Sequence, residues 1–261
     1  RGSMGASQLI LRAAGISILL GAVTAINDKG VGLDIEWEFD NFFRAAKKPL
    51  FLPAEQELFE SANKSVITYG EMGIEGVKQM LESVDTKDKI FYDLGSGLGA
   101  PIIAAAIFFP ELKKLIGIEL SPSRHETALK AAERLVFPET RKKISFLSKD
   151  MLTHPLGDAD IVYISSLCFN DGFMAILGAY LDEQLKPGAI VMTSRELKTI
   201  TRGRPEGRVT VRMSWNSEHK LHKYIMLSGP YQKALPGPEQ SKVATEPNAE
   251  QKEAVATEPN A

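Results

Sequence analysis

Cysteine is nearly absent from this sequence, since Cys168 is the single cysteine among 261 residues. One thiol can form neither a disulfide within the chain nor a metal site built from clustered cysteines, so we expect a reducing compartment inside a cell. An unpaired cysteine usually packs as a small apolar residue unless its surroundings lower its pKa. We therefore predict that Cys168 is a buried thiol, with a reactive nucleophile as the alternative.

An excess of charge of either sign is also lacking. Thirty-one lysines and arginines face 33 aspartates and glutamates, which leaves a formal net charge of -2. The chain as a whole therefore gives no electrostatic indication of nucleic acid or of an anionic membrane as a partner. One local exception runs from Arg195 to Arg212, where six basic residues are opposed by Glu196 and Glu206. Contact with nucleic acid or an acidic partner and an ordinary solvated surface both stay open for this segment.

Two common catalytic motifs are missing. The sequence contains neither the glycine and lysine phosphate loop of nucleotide hydrolases nor the serine elbow of α/β hydrolases. His219 and His222 are three residues apart, but no carboxylate or cysteine cluster accompanies them. We expect both histidines at the surface, and we expect no bound metal.

Composition separates a central domain from two ends of different character. The apolar fraction of 44% is ordinary for a soluble domain, but the last residues repeat VATEPNA and are too poor in apolar side chains to fold. The predicted segments are residues 1–3, a remnant of an expression tag, residues 4–65, an N-terminal helical extension, residues 66–232, the central domain, and residues 233–261, a disordered tail.

An apolar run, Leu9 to Ile26, occupies the start of the N-terminal extension. It is apolar apart from Arg12 and small hydroxyl side chains. Its length is close to the minimum for a membrane span, although it carries a charge near its start. A helix packed against the protein and a segment that contacts a membrane both stay open.

Strand-like runs alternate with helix-like runs between the two ends. This alternation is typical of a mostly parallel sheet with helices on both faces. Two later runs, Gly207 to Trp215 and His222 to Ser228, predict a C-terminal antiparallel hairpin. We therefore predict an α/β, Rossmann-like fold with a seven-stranded sheet. Its parallel strands are Lys89 to Leu94, Lys114 to Leu120, Lys143 to Leu147, Asp160 to Ser165 and Ala189 to Ser194.

Two helices of this pattern have clear boundaries. Ser121 followed by Pro122 is typical of a helix start, because serine caps the first turn and proline fits the first helical position. A second helix is predicted from Asp171 to Leu185, before a lysine, proline and glycine that end it.

The segment FYDLGSGLGA places an acid at the end of a strand and three glycines after it. Gly95, Gly97 and Ala100 satisfy the loose fingerprint of a dinucleotide-binding loop. Asp93, however, would face the pyrophosphate of a dinucleotide with a charge of the same sign. S-adenosylmethionine carries an ammonium, a sulfonium and no phosphate, so this cofactor reverses the sign of the interaction. We predict that Asp93 and the backbone of Gly95, Gly97 and Gly99 bind it, because a Cβ in the loop would collide with the ligand.

Two further acids follow neighbouring strands. Glu119 ends the second predicted strand and is placed to bind the hydroxyls of a ribose. Asp150 follows the third strand and is placed to accept a hydrogen bond from the adenine amino group, with Met151 as an apolar neighbour of the ring. Open α/β sheets bind ligands at the carboxyl ends of their strands, where all three acids are expected.

From Val66 to Ser228 the sequence resembles the disruptor-of-telomeric-silencing histone lysine methyltransferases, which lack a SET domain. The resemblance implies a class I methyltransferase fold. It also implies methyl transfer from S-adenosylmethionine to a lysine of a histone-type protein, with S-adenosylhomocysteine as the product. In the TYGE loop it adds Tyr69 and Glu71 to the cofactor-binding residues, and after the fourth strand it adds Ser165. The segments that carry it are VITYGEMGIEGVKQML, FYDLGSGLGA, IGIEL, FLSKDML and the closing VRMSW and KYIML.

A lysine acceptor must lose its proton before it can attack a methyl group. With a reference pKa of about 10.4, this costs roughly 4 to 5 kcal/mol at pH 7. A narrow apolar channel lowers the pKa by penalising the charged form. The candidate catalytic residues are therefore the walls of such a channel and a polar group at its mouth. They are Tyr69, Trp215 and Tyr224 as walls, with Phe169 as a further wall, and Ser166 beside Ser165 at the mouth.

The chain departs from the family pattern on the substrate side. Ser165 and Ser166 stand where the family has two asparagines, and Ala100 stands where it has a glutamine. A longer hairpin loop leaves open whether Tyr224 or Lys223 replaces the channel tyrosine of the family. A small-molecule amine, thiol or hydroxyl acceptor is therefore an alternative to a protein lysine, and so is a noncatalytic scaffold of the same fold.

Overall fold

A computed structural model describes residues 24–26, 32–34, 39, 41–43, 55, 72–135 and 138–232. The predicted tag remnant at residues 1–3 and the predicted tail at residues 233–261 lie outside the described residues.

The described part of the N-terminal extension is not purely helical. Strand β1 (Thr24–Ile26) pairs antiparallel with β2 (Gly32–Asp34). Residues 39 and 41–43 are helical. Most of the apolar run from Leu9 to Ile26 lies outside the described residues, and its last three residues form strand β1, where threonine and isoleucine favour extended backbone. None of the helices in the described ranges is long and apolar enough to cross a membrane.

A seven-stranded sheet forms the centre of the described chain. Its strands are β3 (Ile90–Leu94), β4 (Lys114–Glu119), β5 (Ile144–Ser148), β6 (Ile161–Ile164), β7 (Ile190–Thr193), β8 (Gly203–Val211) and β9 (His219–Met226). They lie in the order β5-β4-β3-β6-β7-β9-β8. The first five pair in parallel, whereas β9 runs antiparallel to both β7 and β8. The predicted mostly parallel sheet with a terminal antiparallel hairpin is confirmed.

Five helices of the described chain accompany the sheet. They are α1 (Ile74–Glu82), α2 (Ala100–Phe108), α3 (Pro122–Glu133), α4 (Pro138–Lys142) and α5 (Asp171–Gln184). Apolar residues of α1, α2 and α3 share one core cluster with Phe91, Leu115 and Met192. Apolar residues of α5 share the other cluster with Leu94 and Val191. Helices therefore cover both faces, as the Rossmann-like prediction requires.

The helix starts follow their capping residues. The Ser121 hydroxyl accepts a hydrogen bond from the Arg124 N–H at 3.2 Å, and Pro122 opens α3. The Asn170 side chain accepts from the Phe173 N–H at 2.8 Å at the start of α5. These bonds satisfy N–H groups that lack a partner within the helix. Because β3, β4, β6 and β7 run in parallel, their carboxyl ends meet at one edge of the sheet, next to the starts of the helices.

Candidate active site

The three glycines of the loop after β3 all adopt a left-handed backbone. The φ angles are 87° at Gly95, 55° at Gly97 and 87° at Gly99, a region that residues with a Cβ rarely occupy. The N–H of Gly95 donates to the carbonyl of Ile118 at 2.8 Å, which ties the loop to β4. A Cβ at Gly99 would lie 2.6 Å from the Phe146 ring. The loop is therefore fixed in a shape that exposes backbone rather than side chains to a ligand.

Asp93 is a buried carboxylate that lacks a partner for one of its oxygens. Its side chain is 1% exposed, and Oδ2 has no hydrogen-bond partner in the described part of the chain. Burial, and then the charge of Glu119, raises the pKa of Asp93 well above its usual value. A carboxylate buried without a partner is costly, so a site of this kind is typical of a group whose partner is a bound ligand. A ligand group that stabilises the charged form of Asp93 would carry a positive charge.

Two buried residues with hydroxyl groups accompany Asp93. Tyr163 is buried and lies opposite Asp93 in the pairing of β3 with β6. The Ser96 hydroxyl is buried and has no hydrogen-bond partner among the described residues. The sequence analysis did not identify either residue. Because Tyr163 pairs with Asp93, both side chains lie on the same face of the sheet.

Glu119 is held by backbone groups on both sides. It is 5% exposed, its Oε2 accepts from the Gly97 N–H at 2.8 Å, and its Oε1 accepts from the Ser121 N–H at 2.8 Å. Each carboxylate oxygen can accept a second hydrogen bond. The carboxylate therefore fixes the glycine loop and keeps acceptor capacity for a hydroxyl pair.

Asp150 and Met151 approach the loop from the end of β5. Asp150 is half-buried, and its Oδ1 accepts from the Leu152 N–H at 3.0 Å, which caps the 3-10 turn Met151–Thr153. Met151 is buried, and its Cε lies 3.4 Å from the position that a Cβ at Gly95 would occupy. The structure thus brings the predicted adenine neighbour Met151 against the glycine loop.

Ser165 and Ser166 have different surroundings. Ser166 is fully buried, its Oγ lies 2.7 Å from Oγ1 of Thr193, and it also accepts from the Arg195 N–H at 2.9 Å. These bonds link the ends of β6 and β7, so the hydroxyl predicted at the mouth of a channel is engaged by the protein itself. Ser165 is half-buried and follows the alternation of Tyr163. Phe169 is half-buried, with its ring centroid 4.6 Å from that of Phe173.

The hairpin loop brings two of the family-like segments together. Met72 directly follows the TYGE loop and forms an antiparallel bridge with Met213. Trp215, two residues later, is 47% exposed, and its ring centroid lies 5.0 Å from that of His219. Tyr69 and Glu71 lie outside the described residues. The bridge shows that Met72 and the loop that carries Trp215 are neighbours.

Tyr224 has a different place from the one predicted for a channel wall. It is buried in the cluster beneath α5, and its hydroxyl accepts from the Leu197 N–H at 3.1 Å. Asp93 belongs to the opposite face of the sheet, because it alternates with Leu94 of the same cluster. Lys223 points the other way, and its ammonium donates to the Ser83 carbonyl at 2.9 Å. Both side chains have structural partners away from Trp215.

The basic segment from Arg195 to Arg212 is partly used within the protein. The Arg195 guanidinium bonds to the Phe169 carbonyl and to Asp171. The Arg202 guanidinium donates to the Leu227 carbonyl at 2.7 Å and the Leu185 carbonyl at 3.1 Å. Arg204 pairs with Glu206 at 2.6 Å. Three of the six basic side chains thus have partners within the described part of the protein, and the segment gives no support for a nucleic acid contact.

Two further predictions of burial need correction. His219 is 9% exposed rather than at the surface, because its ring packs against Trp215. Its Nε2 has no partner among the described residues, and burial followed by the charge of His222 lowers its pKa. His222 is half-buried.

Cys168 is half-buried rather than fully buried, and burial raises the pKa of its thiol, which opposes a nucleophilic role.

A family model described as histone methylation protein DOT1 matches residues 50–223, well over half of the chain. The chain belongs to the DOT1 family. The matched range contains the glycine loop, Glu119, Asp150 and Trp215. With the strand order described above, membership of this family makes the fold that of a class I methyltransferase, as the sequence resemblance implied.

One relative of this DOT1-family chain comes from Caenorhabditis elegans and is described as histone-lysine N-methyltransferase, H3 lysine-79 specific. It is 27% identical over 143 residues. The match covers 51% of this chain and 15% of the relative. The chain therefore corresponds to a small part of that protein.

Solved methyltransferase structures are similar to the DOT1-family chain at lower identity. An RNA methyltransferase from Salinibacter ruber, in complex with S-adenosyl-L-homocysteine, has a TM-score of 0.48 and 23% identity, over 60% of this chain and 94% of that one. The magnesium protoporphyrin IX methyltransferase of Synechocystis PCC 6803, with bound S-adenosylmethionine, has a TM-score of 0.47 and 11% identity, over 71% and 90% of the two chains.

Proposed function

We propose that this DOT1-family chain transfers a methyl group from S-adenosylmethionine to a lysine side chain of a histone-type protein. The observation that carries the cofactor is Asp93, a buried carboxylate with an unpartnered Oδ2 in the described chain, beside a loop of three left-handed glycines. Membership of the DOT1 family supports the lysine acceptor. The single cysteine, Cys168, supports a reducing compartment inside a cell.

The residues around the loop fit the parts of this cofactor. Asp93 would bind the ammonium, and the glycine backbone allows the aminoacyl group to approach closely. Glu119 would accept from the ribose hydroxyls, while Asp150 and Met151 would bind the adenine amino group and ring. When bound, the cofactor supplies a methyl group on a sulfonium, which is already an activated leaving group.

The protein contributes position and an environment without water. A lysine ammonium must reach the site as a neutral amine, at a cost of roughly 4 to 5 kcal/mol at pH 7 in water. We assign Trp215 as an apolar wall of the acceptor path, because its exposed indole stands beside the bridge that joins Met72 to the hairpin. Tyr69 is proposed as a second wall. An apolar wall lowers the pKa of the acceptor by penalising its charged form.

Transfer of a radioactive methyl group tests this function directly. The purified chain is incubated with labelled S-adenosylmethionine and separate pools of histones, nucleosomes, other lysate proteins and small metabolites. We expect the label on lysine in the histone or nucleosome pool. Label confined to the metabolite pool would favour the small-molecule acceptor, for which the serines at positions 165 and 166 are the motive.

Calorimetry with S-adenosylhomocysteine separates binding from turnover. We expect the wild-type chain to bind this product and the variants Asp93→Ala and Glu119→Ala to lose the binding. Binding without label in any pool would identify a noncatalytic module. Equal affinity in both variants and the wild type would overturn the assignment of the site.

A further inference from the structure

Glu55 is a buried acid that lies far from the glycine loop in sequence but contacts the start of α3, which is hydrogen-bonded to that loop through Glu119. Its side chain is 6% exposed. Oε1 accepts from the Ser123 N–H at 2.8 Å, and Oε2 accepts from the Ser123 hydroxyl at 2.8 Å. Glu55 thus binds the first turn of α3 with both carboxylate oxygens.

The same turn of α3 is hydrogen-bonded to Glu119, the acid that we propose binds the ribose. The Ser123 hydroxyl lies 3.1 Å from the Ser121 hydroxyl, and the Ser121 N–H donates to Glu119 Oε1 at 2.8 Å. Glu119 Oε2 in turn accepts from the Gly97 N–H at 2.8 Å. One chain of hydrogen bonds therefore runs from Glu55 through Ser123, Ser121 and Glu119 to the glycine loop.

These hydrogen bonds let Glu55 influence the orientation of the Glu119 carboxylate. A carboxylate is stabilised at a helix N-terminus, where N–H groups lack partners. Without Glu55, the Ser123 N–H loses the acceptor described here, and the Ser123 hydroxyl can turn toward Ser121. The first turn of α3 then no longer holds the Ser121 N–H in one direction, and the Glu119 carboxylate is oriented from the Gly97 side alone.

We propose that Glu55 is a positioning residue for the cofactor site, which binds the first turn of α3 and thereby orients Glu119. Docking of Glu55 and binding of the nucleoside are then coupled, and each strengthens the other. This inference deepens the proposed function, because it rests on Glu119 binding the ribose. It gives Glu55 an influence on cofactor affinity, although Glu55 belongs neither to the glycine loop nor to the three acids at the strand ends.

The test combines product affinity with amide exchange in the full-length chain. We expect Glu55→Ala to weaken binding of S-adenosylhomocysteine about tenfold, a typical coupling between two sites. Hydrogen exchange at the amides of Ser121 and Gly97 should become faster in the ligand-free protein. Glu55→Gln should restore part of both properties, because its amide oxygen still accepts from the Ser123 N–H. The exposed Glu82→Ala is the matched control and should change neither property.

A second variant covers the case in which Glu55→Ala does not fold. Ser123→Ala removes the hydroxyl but keeps the N–H, and it should give a smaller change in the same direction. Affinity and exchange equal to wild type in the folded Glu55 or Ser123 variants would overturn the inference, as would a loss of melting temperature without either change. If the wild type bound no product, the proposed function would fail, and amide exchange alone would decide the role of Glu55.

Discussion

Among single residues, Asp93 shows how a binding site can oppose folding. Its raised pKa means that the folded, ligand-free protein holds the Asp93 proton more tightly than the unfolded chain does. Above the usual value of 3.8, the unfolded chain ionises first, so folding stability is lost as pH rises toward the folded pKa. At neutral pH the carboxylate therefore destabilises the ligand-free protein.

Asp93→Asn should separate these two effects. The amide keeps the shape but does not ionise, so we expect the ligand-free variant to be more stable than wild type at pH 7, with a higher melting temperature. Binding of S-adenosylhomocysteine should be lost in calorimetry. Glu82→Gln, on an exposed acid, is the control. A variant that melts below wild type would contradict the interpretation.

Tyr224→Phe tests whether the hydroxyl of this residue supports the fold or the reaction. The change leaves the buried Leu197 N–H without its acceptor at 3.1 Å. We expect a loss of about 1–2 kcal/mol in the free energy of unfolding, measured with denaturant. Product affinity and the KM for the acceptor should stay at wild-type values. A raised KM with unchanged stability would instead return Tyr224 to the acceptor path.

The residues that sequence could identify are those whose role follows from position along one strand. Asp93 and Glu119 end apolar strands, so their place at the sheet edge could be predicted. The burial of His219 and the docking of Glu55 could not, because each depends on contacts between distant segments. Ser166 was misleading for the same reason, since its bond to Thr193 joins two strands.

Among the elements, helix α1 packs very closely against the end of β8. A Cβ at Gly76 would lie 2.2 Å from the Arg212 carbonyl oxygen and 2.6 Å from the Met72 side chain. The first of these atoms belongs to the backbone, which cannot move away without displacing the strand. Gly76 therefore sets how closely α1 approaches the hairpin that carries Trp215.

Gly76→Ala should push α1 away from β8. We expect a loss of about 2–4 kcal/mol in stability by thermal denaturation, the cost of overpacking a close contact. In the labelling assay, the KM for the acceptor should rise, because the bridge between Met72 and Met213 depends on the same contact. Gly157→Ala is the matched control, since no atom lies within 4 Å of the added Cβ. Equal losses in both variants would argue against the packing explanation.

The terminal hairpin shows which element boundaries the sequence reveals. The prediction began at Gly207, but β8 begins at Gly203, and the turn lies earlier than predicted. The missed residues are mostly exposed and polar, so they have no apolar alternation. The helix from Asp171, by contrast, ends within one residue of the prediction, because its cap and apolar face both mark it. Edge strands are less predictable since only one neighbour constrains them.

At the scale of the whole molecule, two histidines with a lowered pKa predict sensitivity to acid. The pKa of His154 is lowered by burial and by Lys149, and that of His219 by burial and by His222. As pH falls through the ordinary value of 6.5, the unfolded chain takes up protons that the folded protein does not. Stability carried by these rings is therefore lost as pH falls from 6.5 toward the folded pKa values.

Replacement of these rings should reduce that loss. His154→Gln and His219→Gln titrate nowhere in this range, so their melting temperatures should approach or pass that of wild type as the pH is lowered from 7.5 to 5.5. The measurement is a series of thermal scans of wild type and variants across this interval. A difference between variant and wild type that stays constant over the interval would show that protonation of these side chains does not contribute.

Strand β8 is an edge strand of the sheet, and a further strand cannot easily pair with it. Pro205 offers no N–H, and the pairing of β8 with β9 shifts between Pro205 and Arg208, where Gly207 has a φ of 87°. Most of the strand is exposed, and three of its nine residues are charged. A strand from another copy would meet an interrupted ladder and fixed charges there. Crowded solutions of this protein should consequently resist fibrous self-assembly along that border.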